Sequence, residues 1–385
     1  METALSELIN ISNTFGKDRS LVQGVGGNTS SKTPDGKSMY VKASGTALKD
    51  MASDRGWRKL DIEKVQPIFS DKSLSKLSVE AREQEMVKRL QAACNDGLTS
   101  DARPSVESPL HVLLDDYVIH LHALVVLSYA SAKGGKDRTF ELFQNEPLPP
   151  LWVPYADPGY SLGKKASVLV WKYRKQHGRN PQILILEKHG LFVAAQHPDK
   201  AMRLVRKVIR RCQEGLASST QHNVPEIKEL EVEPTKQKIS EALSEVGGQV
   251  TPVHYCLDQT VLSVLGREDV RRLLSAPPLT PDEMGFVNSP VLWLTNSDYK
   301  TIVRRITSSI AKNQRLPAAF LVKEVGLFIA GDDKMAEILK EIVVGSLFVR
   351  RNAQDMGGIN GLNRRQREFI SNWEAEEFRI QLSTQ

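Results

Sequence analysis

Two stretches of this chain match one another at a constant offset of 136 residues: PQILILEKHGLFVAA at 181–195 and PAAFLVKEVGLFIAG at 317–331. Each reads as an apolar strand, a turn carrying Gly190 or Gly326, a second apolar strand and then a helix-forming segment. With this unit present twice, a β-containing core is expected in each half. Either the second half is a degenerate partial copy of the first, or two buried hairpins have converged on one pattern.

Length agrees with two units. At about 150 residues per domain, 385 residues make two domains. The first, 1–217, alternates helix-like and β-rich runs: SMYVKASG, VIHLHALVVL and QILILEKHGLFVAA as strands, SVEAREQEMVKRLQAAC with Ser78 as N-cap and ASVLVWKYRKQ as helices. The segment 218–237 is rich in small, polar and proline residues and is expected to be a linker. Residues 238–385 are expected to form a smaller α/β domain whose late helix runs into FISNWEAEEFR.

Composition excludes several classes. Apolar residues make up 40% and charged residues 25%, as in ordinary globular proteins, and no apolar run approaches the ~20 residues that span a bilayer. METALSELINISNTFGKDRS has no apolar signal core, so a cytoplasmic location is expected. Cys94, Cys212 and Cys256 are far apart and lack CxxC spacing, as reduced thiols do. The net charge of +6 is mild, and the densest basic run, Arg203 to Arg211, alternates with Met202, Val205, Val208, Ile209 and Cys212 at helical spacing. That pattern describes an amphipathic helix with a solvated basic face rather than a nucleic-acid surface.

The chemistry centres on VIHLHAL. Side chains alternate along a strand, so His120 and His122 share one face, as two ligands of one ion would; two hydrogen-bonded core histidines are the competing reading. His189, between the apolar strand and Gly190, is the natural third candidate for a tetrahedral zinc. His111 reads as a packing histidine. Glu107, 13 residues before His120, is either a ligand or general base beside the metal, or a carboxylate favoured by a helix N-terminus. Gly24 to Ser30 is a glycine- and hydroxyl-rich loop suited to an anion, with neither a dinucleotide fingerprint nor a P-loop, and Ala43 to Thr46 is a second small-residue turn.

Taken in order, GGNTS, ASGT, RPSVESPLH, VIHLHAL, VPYADPGYSLG and EKHGLF resemble the class II aldolase/adducin family over about residues 5 to 215. The wording GGNTSSK, VKASG and RPSVESPLH looks closest to the aldolase half of rhamnulose-1-phosphate aldolase/dehydrogenase proteins. The resemblance implies a three-layer α/β/α domain around a mostly antiparallel sheet. It implies His120, His122 and His189 as ligands of zinc or another divalent transition metal, Glu107 as the acid/base, and Gly27, Asn28, Ser44, Gly45 and Ser105 around a substrate phosphate. The activity implied is reversible aldol cleavage of a sugar or ketose 1-phosphate through a metal-stabilised enediolate, in a homo-oligomer, commonly a tetramer. A sugar-phosphate epimerase or dehydratase, and a non-enzymatic adducin-like module, are the alternatives within the family. Two departures stand out. Val106 replaces a second serine before the glutamate, with Arg103 or Lys32 as candidate substitutes, and RTFELFQNEPLPP offers Phe140 and Phe143 where the family has its tyrosine acid, leaving Tyr155 or Tyr160 for that role or for packing.

Overall fold

The computed structural model describes residues 2–97, 102–216, 225–287, 290–313, 315–375, 377, 378 and 381. Seven strands form the first sheet: β1 Asn28–Lys32, β2 Ser38–Lys42, β3 Trp57–Asp61, β4 Tyr117–Leu121, β5 Leu151–Val153, β6 Ile183–Leu186 and β7 Gly190–Ala195. Their order is β3-β2-β1-β4-β7-β6-β5, antiparallel throughout except for β5 beside β6. Helices cover both faces, which explains why β6 and β7 are apolar at every position. Ile183, Ile185, Leu191 and Val193 enter one core, with the helices Thr3–Gly16 and Pro198–Leu216. Leu184, Leu186, Phe192 and Ala194 enter the other, with the helices Val79–Ala92 and Tyr160–His177. The fold is the expected α/β/α layering.

The second half builds a four-stranded sheet from β8 Val253–Cys256, β9 Leu292–Leu294, β10 Ala319–Val322 and β11 Gly326–Ala330, in the order β8-β11-β10-β9. This repeats β4-β7-β6-β5 strand for strand, including the one parallel pair, β9 with β10. The hairpin register also repeats: Leu184 faces Phe192 as Phe320 faces Phe328. Even the strained turn residue recurs, Lys188 at φ 59° and Glu324 at φ 60°. The two hairpins thus share one register, one left-handed turn residue and the same order of flanking helices. The residue paired with Phe328 is Tyr255, in the place that His120 occupies beside Phe192. The Tyr255 hydroxyl donates to the Val325 carbonyl at 2.8 Å, and Val325 is buried.

Some elements depart from expectation. The expected loop Gly24 to Ser30 gives way at Asn28 to β1, a central strand. Several of its polar side chains find partners in the interior: Thr29 pairs with Ser12 at 2.6 Å, Ser30 with His111 at 2.8 Å, and Lys32 Nζ donates to the Val112 and Leu114 carbonyls. VIHLHALVVL is not one strand, because β4 ends at Leu121 and a helix runs over Leu124–Ala130. Of the expected linker, 218–224 lies outside the described residues, while 232–237 begins the helix Val232–Gly247, whose Pro234 sits in the first turn where no N–H is needed. The amphipathic helix around Arg203 is as expected, with Val205, Val208 and Cys212 buried. No described helix is long and apolar enough to cross a membrane.

The halves are packed together. The helix Asp333–Asp355 lies on Leu124–Ala130 so closely that a Cβ on Gly345 would sit 2.8 Å from Leu124 Cδ2. Val25 of the first half belongs to the core formed by Leu273 and Leu347, and Ala353 and Met356 belong to that of the first half. Glu341 accepts from the Gly24 amide at 2.8 Å.

Candidate metal centre

His120 stands near the end of β4, its ring stacked on Phe192 with centroids 4.1 Å apart. His122 follows just beyond the strand, and His189 sits in the β6–β7 turn after the left-handed Lys188. One nitrogen from each ring lies within 4.8 Å of the others. Alternation along the strand and a tight turn on the neighbouring hairpin are what bring residues 120, 122 and 189 to one point.

Hydrogen bonds on the far side of two rings define what faces that point. His120 Nδ1 is 3.0 Å from the Leu191 carbonyl, which can only accept, so Nδ1 carries the hydrogen. Burial holds this imidazole well below its usual value, keeping it neutral with Nε2 bare. His122 Nδ1 donates to the carboxylate of Asp282. The two Nε2 atoms are 3.1 Å apart. Bare lone pairs at that distance repel, so a proton or a cation must lie between them.

Glu107 precedes the short helix Ser108–Leu113 but makes no cap bond to it. Its carboxylate turns instead to the histidines, Oε1 at 3.3 Å from His189 Nε2 and Oε2 at 3.4 Å from His120 Nε2. Asn28 Nδ2 donates to Oε2 at 2.7 Å, whereas Oε1 is buried and lacks a hydrogen bond. Three imidazoles, an ionisable carboxylate and an unsatisfied oxygen around one point suit a divalent cation of zinc type. His111, by contrast, is buried away from the cluster against Ser30 and the edge of Phe192, and burial pushes it down to about 4.

His122 and His189 open onto a cleft lined also by Gly27, Asn28, Ser44, Gly45, Ser105 and Val106, all but Val106 anticipated as substrate contacts. Gly27 has φ 62°, and a Cβ there would meet the His120 carbonyl at 2.7 Å, so the loop needs glycine to run this close to β4. Lys42, the lysine of VKASG to which no role was assigned, lies under the loop and donates to the Val25 and Gly27 carbonyls at 2.6 and 2.8 Å. The proposed cationic substitutes for the lost serine are not in the cleft. Lys32 is committed to β1, and Arg103 pairs with Glu374 at 2.6 Å under the ring of Phe378.

Tyr155 is also displaced from its expected role. It does not line the cleft, and its hydroxyl donates to Asp157 at 3.4 Å, in a carboxylate site shared with Arg365. Tyr160 is buried under Arg82 with its amide on Glu83, and Phe143 is in the core. The second half supplies groups that sequence reading missed: Pro281, Asp282, Trp373 and Ala375 all face the cleft. Nothing in TPDEMGF distinguishes Asp282 from a turn residue.

YuxG of Bacillus subtilis, described as an uncharacterized oxidoreductase, is 22% identical over 426 aligned positions covering 98% of this chain; the chain spans 58% of that protein's length. Among solved structures, the N-terminal class II aldolase domain of a conserved Thermoplasma acidophilum protein is 25% identical at a TM-score of 0.46, covering 56% of this chain and 94% of that one. The L-fuculose 1-phosphate aldolase of Glaciozyma antarctica is 14% identical at 0.37, covering 56% and 72%. The family model described as the Class II Aldolase and Adducin N-terminal domain matches residues 6–216, and the chain belongs to that family.

Proposed function

We propose that this chain is a metal-dependent lyase that reversibly cleaves a sugar or ketose 1-phosphate between two carbons. The observation that carries the reading is the convergence of one nitrogen each from His120, His122 and His189 within 4.8 Å of one another, with the Glu107 carboxylate beside them. In this reading the three imidazoles hold zinc or another divalent ion. A bound ion there supplies Lewis acidity to a substrate carbonyl and its neighbouring hydroxyl. Glu107 takes or returns the proton at the carbon being freed, with Asn28 holding the carboxylate in place while leaving Oε1 available. Gly27, Asn28, Ser44, Gly45 and Ser105 orient the far end of the substrate, their backbone amides and hydroxyls suiting a phosphate or sugar hydroxyls.

A second reading has its own observation. No tyrosine lines the cleft among the described residues, so a donor for a leaving aldehyde is not supplied where the family's aldolases have it. A sugar-phosphate epimerase or dehydratase on the same scaffold places different demands on that proton. The retained histidines and Glu107 argue against a purely structural, adducin-like role.

Metal analysis of the purified chain is expected to find about one zinc or equivalent ion, with activity lost to a chelator and restored by metal. Ketose 1-phosphates and unphosphorylated ketoses would be screened for release of an aldehyde and a three-carbon ketone. Cleavage that persists in metal-free protein would sink the lyase reading, and turnover without aldehyde release would select the epimerase or dehydratase.

A further inference from the structure

The second repeat has Tyr255 and Val325 where the first has His120 and His189, so it holds no metal cluster of its own among the described residues. It nevertheless sends one ionisable side chain to the first repeat's centre. Asp282 reaches across 160 residues of sequence to accept the Nδ1 hydrogen of His122, and both side chains are 9% exposed. The contact is built from both sides. On the first repeat, Gly26 leaves room for it: a Cβ there would lie 2.9 Å from His122 Nδ1 and 3.1 Å from Asp282 Oδ2.

On the second repeat, the segment 276–283 is clamped. Arg350, on the long helix that replaces Pro198–Leu216, donates to the carbonyls of Leu273, Ala276 and Pro277 at 2.9 to 3.1 Å and to Glu283 at 2.7 Å. Glu283 in turn accepts from the Leu279 amide at 2.7 Å. Arg350 is 5% exposed, so this is an interior clamp rather than a surface pair. Its product is a fixed position for Asp282, the residue next to Glu283.

We infer that the degenerate repeat is a working part of the first repeat's metal centre, with Asp282 as a positioning residue for His122. This rests on the metal reading above. By accepting the Nδ1 hydrogen, Asp282 sets the tautomer that leaves Nε2 free, fixes the ring's rotation toward His120 and His189, and raises the ring's basicity as a ligand. The centre is thus completed in cis by the half of the chain that has no centre of its own.

The test is zinc affinity of the full chain by competition with a chromophoric chelator, supported by the visible spectrum of the cobalt-loaded protein. Asp282→Ala is expected to weaken zinc binding about 10- to 100-fold and to alter the cobalt spectrum. Asp282→Asn, which keeps an accepting oxygen, is expected to recover part of that affinity. Thermal unfolding of the metal-free variants checks that the fold is intact, and if Asp282→Ala does not fold, Asp282→Asn carries the test with a loss of several-fold. Zinc affinity unchanged in the folded variant overturns this inference alone. An unaltered chain that binds neither zinc nor cobalt overturns the metal reading and this inference with it.

Discussion

At His122 the ring is held between a carboxylate behind it and a second imidazole in front, and Gly26 is the residue that permits the arrangement. Gly26→Ala is expected to force the His122–Asp282 pair apart, because neither locked side chain can yield the few tenths of an ångström required. The expected loss is about 1–3 kcal/mol of stability and at least several-fold in zinc affinity, read by denaturant titration and chelator competition; affinity equal to the unaltered chain would refute the crowding argument. Glu83 makes a separate prediction. Burial pushes its carboxyl up to about 7, against the pull of the Tyr160 amide that donates to both oxygens at 3.1 Å. Because the folded value lies above the ordinary 4.5, folding takes up a proton between the two. Its stabilising contribution is full at pH below the unfolded value and falls as pH rises toward 7, on the order of 3 kcal/mol in all. The stability difference between the unaltered chain and Glu83→Gln should therefore shrink or reverse from pH 5 to 7.5, and parallel curves would refute it. Residue-level legibility followed geometry. His120, His122, His189 and Glu107 were readable because strand alternation and motif order constrain them, while Asp282 and Lys42 were not, since each meets the site only through tertiary contact.

Among elements, the helix Tyr160–His177 is positioned by a missing side chain. A Cβ on Gly163 would lie 2.1 Å from Phe69 Cζ, within the core that backs β6. Two effects oppose one another in Gly163→Ala. Alanine favours the helix by about 1 kcal/mol, but a methyl group pushed into a buried ring costs about 1–3 kcal/mol. Phe69 is 5% exposed and has little space to move, so the clash should win and the variant should unfold at lower denaturant. A stabilised variant would show that the ring moves aside. Strands and helices with a clean apolar period were legible, as for Val79–Ala92, where Ser78 caps the Ala81 amide at 3.2 Å. β1 was not, because NTSSK has no apolar residue at all; its burial depends on Ser12, His111 and two carbonyls supplied from elsewhere in the chain.

For the whole molecule, the offset of 136 residues foretold the second sheet, and the shared register of the two hairpins extends the likeness to strands with no sequence match, β8 and β9. What sequence could not convey is how the copies meet. Val25 sits in the second half's core, Ala353 and Met356 in the first's, and the Arg350 clamp holds Asp282 on His122. Cores that interpenetrate in this way should melt together. Leu184→Ala in the first half is expected to cost about 2–5 kcal/mol and Phe328→Ala in the second about 3–5 kcal/mol, since both side chains are fully buried. If the halves form one cooperative unit, either substitution lowers the same single calorimetric transition, with van't Hoff and calorimetric enthalpies in agreement. Separate domains joined by a linker would instead give two transitions, each sensitive to only one substitution. In that case metal loading would raise only the transition of the first half, whereas a centre shared through Asp282 requires zinc to raise the melting of both.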